Sequence, residues 1–113
     1  MVMKMEKIYN KLVRDNIPEI IRKNGGEPYT RILTDKEYKE ELEKKLYEEY
    51  NEVCNTSSKE ERIEELADML EIISALAIIE GSSLEEVIEC AKQKSIKRGA
   101  FNKKIYLEKV IED

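Results

Sequence analysis

The chain has 113 residues, 41% hydrophobic and 40% charged, with a formal net charge of -5. This length predicts one domain spanning 1–113, and the regular spacing of its aliphatic residues argues against disorder. No apolar run reaches the roughly 18 residues of a membrane span, and residues 1–7 lack a signal-peptide core, so we expect a cytoplasmic protein without membrane contacts. Two cysteines without any histidine exclude the usual zinc sites and indicate reduced, part-buried thiols.

Four helices are predicted in chain order. The first starts near Pro18, because proline suits the first helical turn, and stops at the glycines of 24–26. The second follows Thr34, which forms a capping box with Glu37, and runs to about Cys54.

The capping-box motif recurs at the start of the next two helices. Ser58 with Glu61 opens the third helix, which runs to about Glu80. Ser83 opens the fourth, which ends at Gly99, and the short tail beyond it is either strand-like or helical. Short connections between four helices predict a compact, all-α, four-helix bundle-like fold, which we expect oligomerisation to complete.

The charges are segregated along the chain. Residues 1–34 carry seven basic and four acidic side chains, residues 35–89 carry six and eighteen, and residues 90–113 carry seven and three. An acidic centre attracts metal cations, and basic ends attract phosphate. A nucleic-acid polymer would need one broad basic surface, so the pattern argues against that partner.

Carboxylates interrupt the apolar faces of the second and third helices. At about 100° per residue, Glu49 falls on the same arc as Leu46 and Val53, and Glu52 lies at its edge. The third helix is apolar on nearly all sides, which predicts that it is the central helix. Its acids lie on a stripe that becomes apolar further along, with the 3–4 spacing of a packing seam.

Two pairs of acids therefore stand where apolar residues are expected: Glu49 with Glu52, and Glu65 with Asp68. Each pair projects from one helix face, and the short turn between the helices can bring the pairs together. Buried carboxylates repel one another unless lysine or arginine, or a divalent cation, neutralises them. Four oxygen ligands without nitrogen or sulfur suit magnesium, or alternatively manganese.

The segments around these acids, 46–52 (LYEEYNE) and 64–70 (EELADML), resemble the signature of the all-α nucleoside triphosphate pyrophosphohydrolases. That superfamily includes the MazG proteins, dimeric dUTPases and phosphoribosyl-ATP pyrophosphohydrolases. Two further segments, 9–15 (YNKLVRD) and 97–101 (KRGAF), are similar to the phosphoribosyl-ATP-pyrophosphohydrolase-like branch of predicted house-cleaning enzymes. The resemblance implies a MazG-type fold and hydrolysis of a nucleoside triphosphate or deoxynucleoside triphosphate to monophosphate and pyrophosphate.

The resemblance also implies a role for each matching residue. The four acids would bind magnesium, and one of the first pair, Glu49 or Glu52, would activate water. Four basic residues would contact the substrate: Lys11, Arg14, Lys97 and Arg98. Alternatively, Lys11 and Arg14 belong to a solvated or ion-paired surface. Lys97 and Arg98 would then only interact favourably with the dipole at the C-terminus of the fourth helix.

Three other interpretations remain at this point. One is phosphoribosyl-ATP as the substrate, which the sequence favours less because it lacks histidine and shows no specific match to that enzyme. Another is a non-catalytic helical regulatory module, against which the intact acid quartet argues. A ferritin-like metal bundle usually needs a histidine that this chain lacks. Because the bundle is small, we expect a homodimer or a dimer of dimers.

Overall fold

The computed structural model describes residues 5–113 and places four helices in this range: α1 (Ile17–Lys23), α2 (Asp35–Cys54), α3 (Lys59–Ile79) and α4 (Leu84–Arg98). No residue of 5–113 forms a β-strand. The predicted all-α fold is therefore confirmed, and each predicted helix is found within a residue or two of its expected ends. Residues 99–113, after α4, form a turn at 102–103 and neither helix nor strand, so the prediction of a strand-like or helical tail is wrong.

The predicted capping box at the start of α2 is complete. The Thr34 hydroxyl accepts a hydrogen bond from the backbone N–H of Glu37 at 3.2 Å, and the Glu37 carboxylate accepts one from the N–H of Thr34 at 3.0 Å. The Arg31 guanidinium also donates to both oxygens of Glu37, at 3.2 and 3.0 Å. The Arg31 and Thr34 hydrogen bonds lower the pKa of Glu37 to about 2.

Only one of the two hydrogen bonds of a capping box forms at the start of α3 and of α4. Ser58 accepts from the N–H of Glu61 at 3.1 Å, but the Glu61 carboxylate turns away and accepts from the backbone and hydroxyl of Ser57. At α4, the Ser83 hydroxyl accepts a hydrogen bond from the backbone N–H of Glu86, but the Glu86 carboxylate accepts one from the hydroxyl of Ser82. In both cases the extra serine provides a competing donor, so the prediction of a reciprocal box is wrong there.

The core lies between α2 and α3, which form a hairpin across the turn at 55–58. Four apolar side chains are buried: Leu42, Val53, Ile72 and Ala77. Helix α3 contacts both α2 and α4, which confirms its prediction as the central helix. Glu49 lies between two of the buried positions on α2, as its place on the apolar arc predicts.

The chain is not compact. Its Cα radius of gyration is 19.7 Å, and its principal extents are 79, 36 and 25 Å, whereas a globular chain of this length has a radius near 13 Å. The expected compact bundle is therefore not formed within one chain, because only α2, α3 and the start of α4 cover one another. Both cysteines are free, as predicted, but they are exposed rather than part-buried. None of the helices described is both long and apolar enough to cross a membrane.

Replacing Thr34 with alanine should lower the free energy of unfolding by about 1 kcal/mol, because α2 then loses the side-chain acceptor at its first turn. Thr30→Ala, in the exposed loop before α2, is the matched control and should change little. Urea unfolding at a fixed protein concentration measures both variants. Equal stability of the two variants would contradict the role of the cap.

Candidate metal centre

The α2–α3 hairpin brings three of the four predicted acidic ligands together. One carboxylate oxygen from each of Glu49, Glu65 and Asp68 lies within 4.8 Å of the other two. All three side chains are half-buried, with α2 contributing one and α3 contributing two from adjacent turns. We call these three residues the acidic cluster.

Within the acidic cluster, Glu49 has a raised pKa and a buried carboxylate oxygen. Its Oε2 atom is buried and has no hydrogen-bond partner among the described residues. Burial is the largest cause that raises the pKa of Glu49 to about 7, and the nearby carboxylates of Glu65 and Asp68 add to it. The Lys45 ammonium acts in the opposite direction but has the smallest effect. A buried oxygen without a donor is a position where a cation would be stabilised.

Asp68 has a direct counterion from outside the hairpin. The Arg14 Nη2 atom donates to Asp68 Oδ1 at 2.6 Å, between an Arg14 side chain that is 57% exposed and an Asp68 side chain that is 40% exposed. Arg14 is fixed at the start of α1, where its carbonyl accepts from the N–H of Ile17 at 3.1 Å. The ion pair therefore connects the N-terminal segment to α3 beside the acidic cluster. It pairs one of the three carboxylates with a basic group, whereas no ion pair forms at Glu49 or Glu65 within residues 5–113.

The donor set of the acidic cluster fits a hard divalent cation. Its ligands are carboxylate oxygens only, and magnesium commonly binds through one or two such groups while keeping water and phosphate oxygens as its other ligands. The orphaned Oε2 of Glu49 and the short separations among the three oxygens are what this use would require. The arrangement offers three half-buried carboxylate oxygens to a cation.

The structure does not bring the other predicted site residues to the acidic cluster. Glu52 lies one turn beyond Glu49 on α2 and is exposed. Lys11 is exposed, with its Nζ atom 5.8 Å from the centre of the Tyr9 ring. Lys97 and Arg98 occupy the last turn of α4 and are exposed.

Two features of the site were not predicted from the sequence. One is the pairing of Arg14 with Asp68, which are 54 residues apart and carry no local signal of contact. The other is the influence of Lys45 on Glu49. The i, i+4 spacing of these two residues on α2 could have indicated it.

Comparison with known proteins gives one family. Residues 10–95 match the family described as "Phosphoribosyl-ATP pyrophosphohydrolase". A protein of Mycolicibacterium smegmatis, described only as uncharacterized, is 43% identical over 53 residues, which are 47% of this chain and 54% of that protein. The chain thus spans about half the length of the curated relative it matches. No solved structure gives a significant match.

The raised pKa of Glu49 predicts a pH dependence of stability. Its proton is bound more tightly in the folded chain than in the unfolded one, so its contribution to stability is greatest below pH 4.5 and is lost as pH rises to about 7. Without divalent metal, Glu49→Gln should therefore become more stable than wild type above pH 7 and lose less stability between pH 5 and 8. Urea unfolding in a chelator measures this difference. Parallel pH profiles for the two proteins would contradict it.

Proposed function

The chain belongs to the phosphoribosyl-ATP pyrophosphohydrolase family, within the MazG-like all-α pyrophosphohydrolase superfamily, and on this premise we propose that it is a magnesium-dependent nucleoside triphosphate pyrophosphohydrolase. It would cleave the α–β phosphoanhydride bond and release monophosphate and pyrophosphate, removing unwanted nucleotides from the pool. The observation that carries the proposal is the acidic cluster. In it, a buried Glu49 oxygen lies next to the carboxylates of Glu65 and Asp68 and has no hydrogen-bond partner in residues 5–113.

Glu49, Glu65 and Asp68 would hold the cation. When bound, magnesium neutralises the negative charge that develops on phosphate oxygens during phosphoryl transfer. The Arg14 guanidinium keeps Asp68 oriented and offers further N–H donors to a phosphate, since its side chain is more than half exposed.

Glu52 is our candidate for the general base. It lies outside the acidic cluster, one helical turn from Glu49, and its exposed carboxylate can accept a proton from water. The oxygen of that water would attack the α-phosphorus while the bond to the bridging oxygen breaks and pyrophosphate leaves. The exposed Lys11, Lys97 and Arg98 would bind the phosphates as charge-assisted donors.

Phosphoribosyl-ATP is the second candidate substrate, and the family match favours it directly. It contains the same α–β phosphoanhydride, so the same carboxylates could serve both reactions. The two substrates differ in the group attached to the base.

A substrate panel tests the proposed function. The protein is incubated with magnesium and each ribo- and deoxyribonucleoside triphosphate, and separately with phosphoribosyl-ATP, and pyrophosphate release is measured. Pyrophosphate from a nucleoside triphosphate supports the first candidate, and release from phosphoribosyl-ATP alone supports the second. Orthophosphate as the first product would contradict the assignment of the bond. No release from any substrate would favour a non-catalytic regulatory module.

Variants of the acids separate their roles. Glu49→Gln and Asp68→Asn should each lower kcat/KM by roughly a thousandfold or more, because the cation loses a ligand. Glu52→Gln should lower kcat by about a hundredfold or more while magnesium affinity stays near that of wild type. Glu48→Gln removes the same charge from an exposed neighbouring position of α2 and is the matched control. Activity near wild type in Glu49→Gln would contradict the metal assignment.

A further inference from the structure

Asp68 belongs to the acidic cluster and also accepts a hydrogen bond from a basic side chain. One of its oxygens lies within 4.8 Å of oxygens of Glu49 and Glu65, and its Oδ1 atom lies 2.6 Å from the Arg14 Nη2 atom. The Arg14 guanidinium is the basic group that forms an ion pair with the acidic cluster within residues 5–113. Because arginine keeps its charge at any ordinary pH, a cation held by the acidic cluster would have a permanent positive charge beside it.

The backbone at Arg14 is anchored, whereas its side chain is exposed. Leu12, Val13 and Ile17 are half-buried, and the Arg14 carbonyl accepts from the N–H of Ile17. An ion pair between side chains as exposed as those of Arg14 and Asp68 is only weakly stabilising. A guanidinium has five N–H donors, and in the described part of the chain only Nη2 of Arg14 is hydrogen-bonded. The remaining donors are available to a second anion.

The separation between Arg14 and a metal ion follows from two bond lengths. Magnesium binds a carboxylate oxygen at about 2.1 Å, and the Arg14 Nη2 atom lies 2.6 Å from Asp68 Oδ1. A magnesium ion on that oxygen would therefore lie within about 5 Å of the guanidinium nitrogen. At this separation a doubly charged cation and a guanidinium repel each other strongly, and salt screens the repulsion incompletely.

A phosphate group on the same cation would reverse the effect of Arg14. Pyrophosphate and triphosphate groups carry several negative charges, and the parallel N–H donors of a guanidinium match two phosphate oxygens. The charge of Arg14 would then face an anion as well as a cation. Its repulsion of the metal would be offset by hydrogen bonds to the phosphate.

Lys45 is the other basic residue that acts on the acidic cluster, through its charge near Glu49. Its side chain is only 20% exposed, and its Nζ atom lies 3.9 Å from a carboxylate oxygen of Glu48. Lys45 is therefore less accessible to a phosphate than Arg14, and it lacks the paired donors of a guanidinium.

We propose that Arg14 couples metal binding to phosphate binding: it weakens the binding of magnesium alone and strengthens the binding of magnesium together with a pyrophosphate or triphosphate group. The inference rests on the proposed function, because the cation is the one that the acidic cluster would hold. By thermodynamic linkage, each ligand raises the affinity for the other by the same factor. The site therefore selects a metal–phosphate complex over either component alone.

Calorimetric titrations of the full-length chain test the two halves of this coupling separately. Magnesium chloride alone is the first probe, and magnesium pyrophosphate at saturating magnesium is the second. Both titrations are made at low ionic strength, where charges are least screened. They are made at pH 8, above the Glu49 pKa of about 7, so that this carboxyl is ionised.

Arg14→Gln should change the two affinities in opposite directions, because glutamine keeps an N–H donor but removes the charge. Magnesium alone should bind about tenfold more tightly than to wild type, since a nearby positive charge is gone. Magnesium pyrophosphate should bind about tenfold more weakly, since charge-assisted hydrogen bonds are lost. If Arg14 only orients Asp68, both affinities would fall, and if it only attaches the N-terminal segment to α3, neither would change. Any pattern other than opposite shifts would overturn the proposal.

Two further variants control this comparison. Arg22→Gln removes the same charge from an exposed ion pair within α1 and should bind both probes as wild type does. The same shifts in Arg22→Gln would overturn the proposal, because they would follow from net charge alone. Arg14→Lys keeps the charge and decides the matter if Arg14→Gln loses its helical circular dichroism. Magnesium alone should bind to it as to wild type, and magnesium pyrophosphate severalfold more weakly, whereas unchanged pyrophosphate binding would contradict the coupling.

These titrations involve no turnover, so the coupling and the proposed function can fail separately. A wild type that releases pyrophosphate from a substrate, but whose two affinities equal those of Arg14→Gln, would refute the coupling alone. Opposite shifts in Arg14→Gln, without pyrophosphate release from any substrate, would refute the proposed function alone. A wild type that binds neither probe would refute both.

Discussion

The central physical constraint in this molecule is the repulsion among the carboxylates of Glu49, Glu65 and Asp68. The α2–α3 hairpin buries apolar residues on both sides of Glu49 and so holds it against Glu65 and Asp68, with their oxygens within 4.8 Å. Within the part of the chain that the structure describes, one of the three carboxylates, Asp68, forms an ion pair, with Arg14. The metal-free chain limits the cost by binding a proton at Glu49, whose pKa is raised to about 7. A divalent cation would replace that proton, and metal binding would then be linked to pH.

Local patterns were sufficient to predict the helices and all three members of the acidic cluster, together with a fourth acid, Glu52, that lies outside it. The serine, threonine and glycine signals located the helix ends, and Glu49 was identified because an acid stood on an apolar arc. The sequence did not determine whether the Glu52 side chain is buried. Glu52 lies at the edge of the apolar arc of α2, and a residue there is buried or exposed depending on which side chains of the neighbouring helix lie opposite it. The ion pair between Arg14 and Asp68 depends on how the N-terminal segment returns to α3, and no local periodicity contains that information.

The four-helix fold was predicted correctly, but its compactness within one chain was not, for a related reason. Heptad spacing shows that a helix face needs a partner, but it does not show whether that partner belongs to the same chain. The seam of α3 that starts at Ile63 is a single continuous pattern in sequence, yet α4 covers only its later half. The earlier half of that seam is therefore about half exposed in one chain.

Calorimetric titration with magnesium tests the central account most directly. At pH 6, wild-type protein should bind the cation saturably and release about one proton, detected as a difference between buffers of different ionisation enthalpy, because Glu49 must lose its proton. Glu49→Gln should release none and bind much more weakly, while Glu48→Gln should behave as wild type. Equal magnesium binding by Glu49→Gln and wild type, without proton release, would contradict the account.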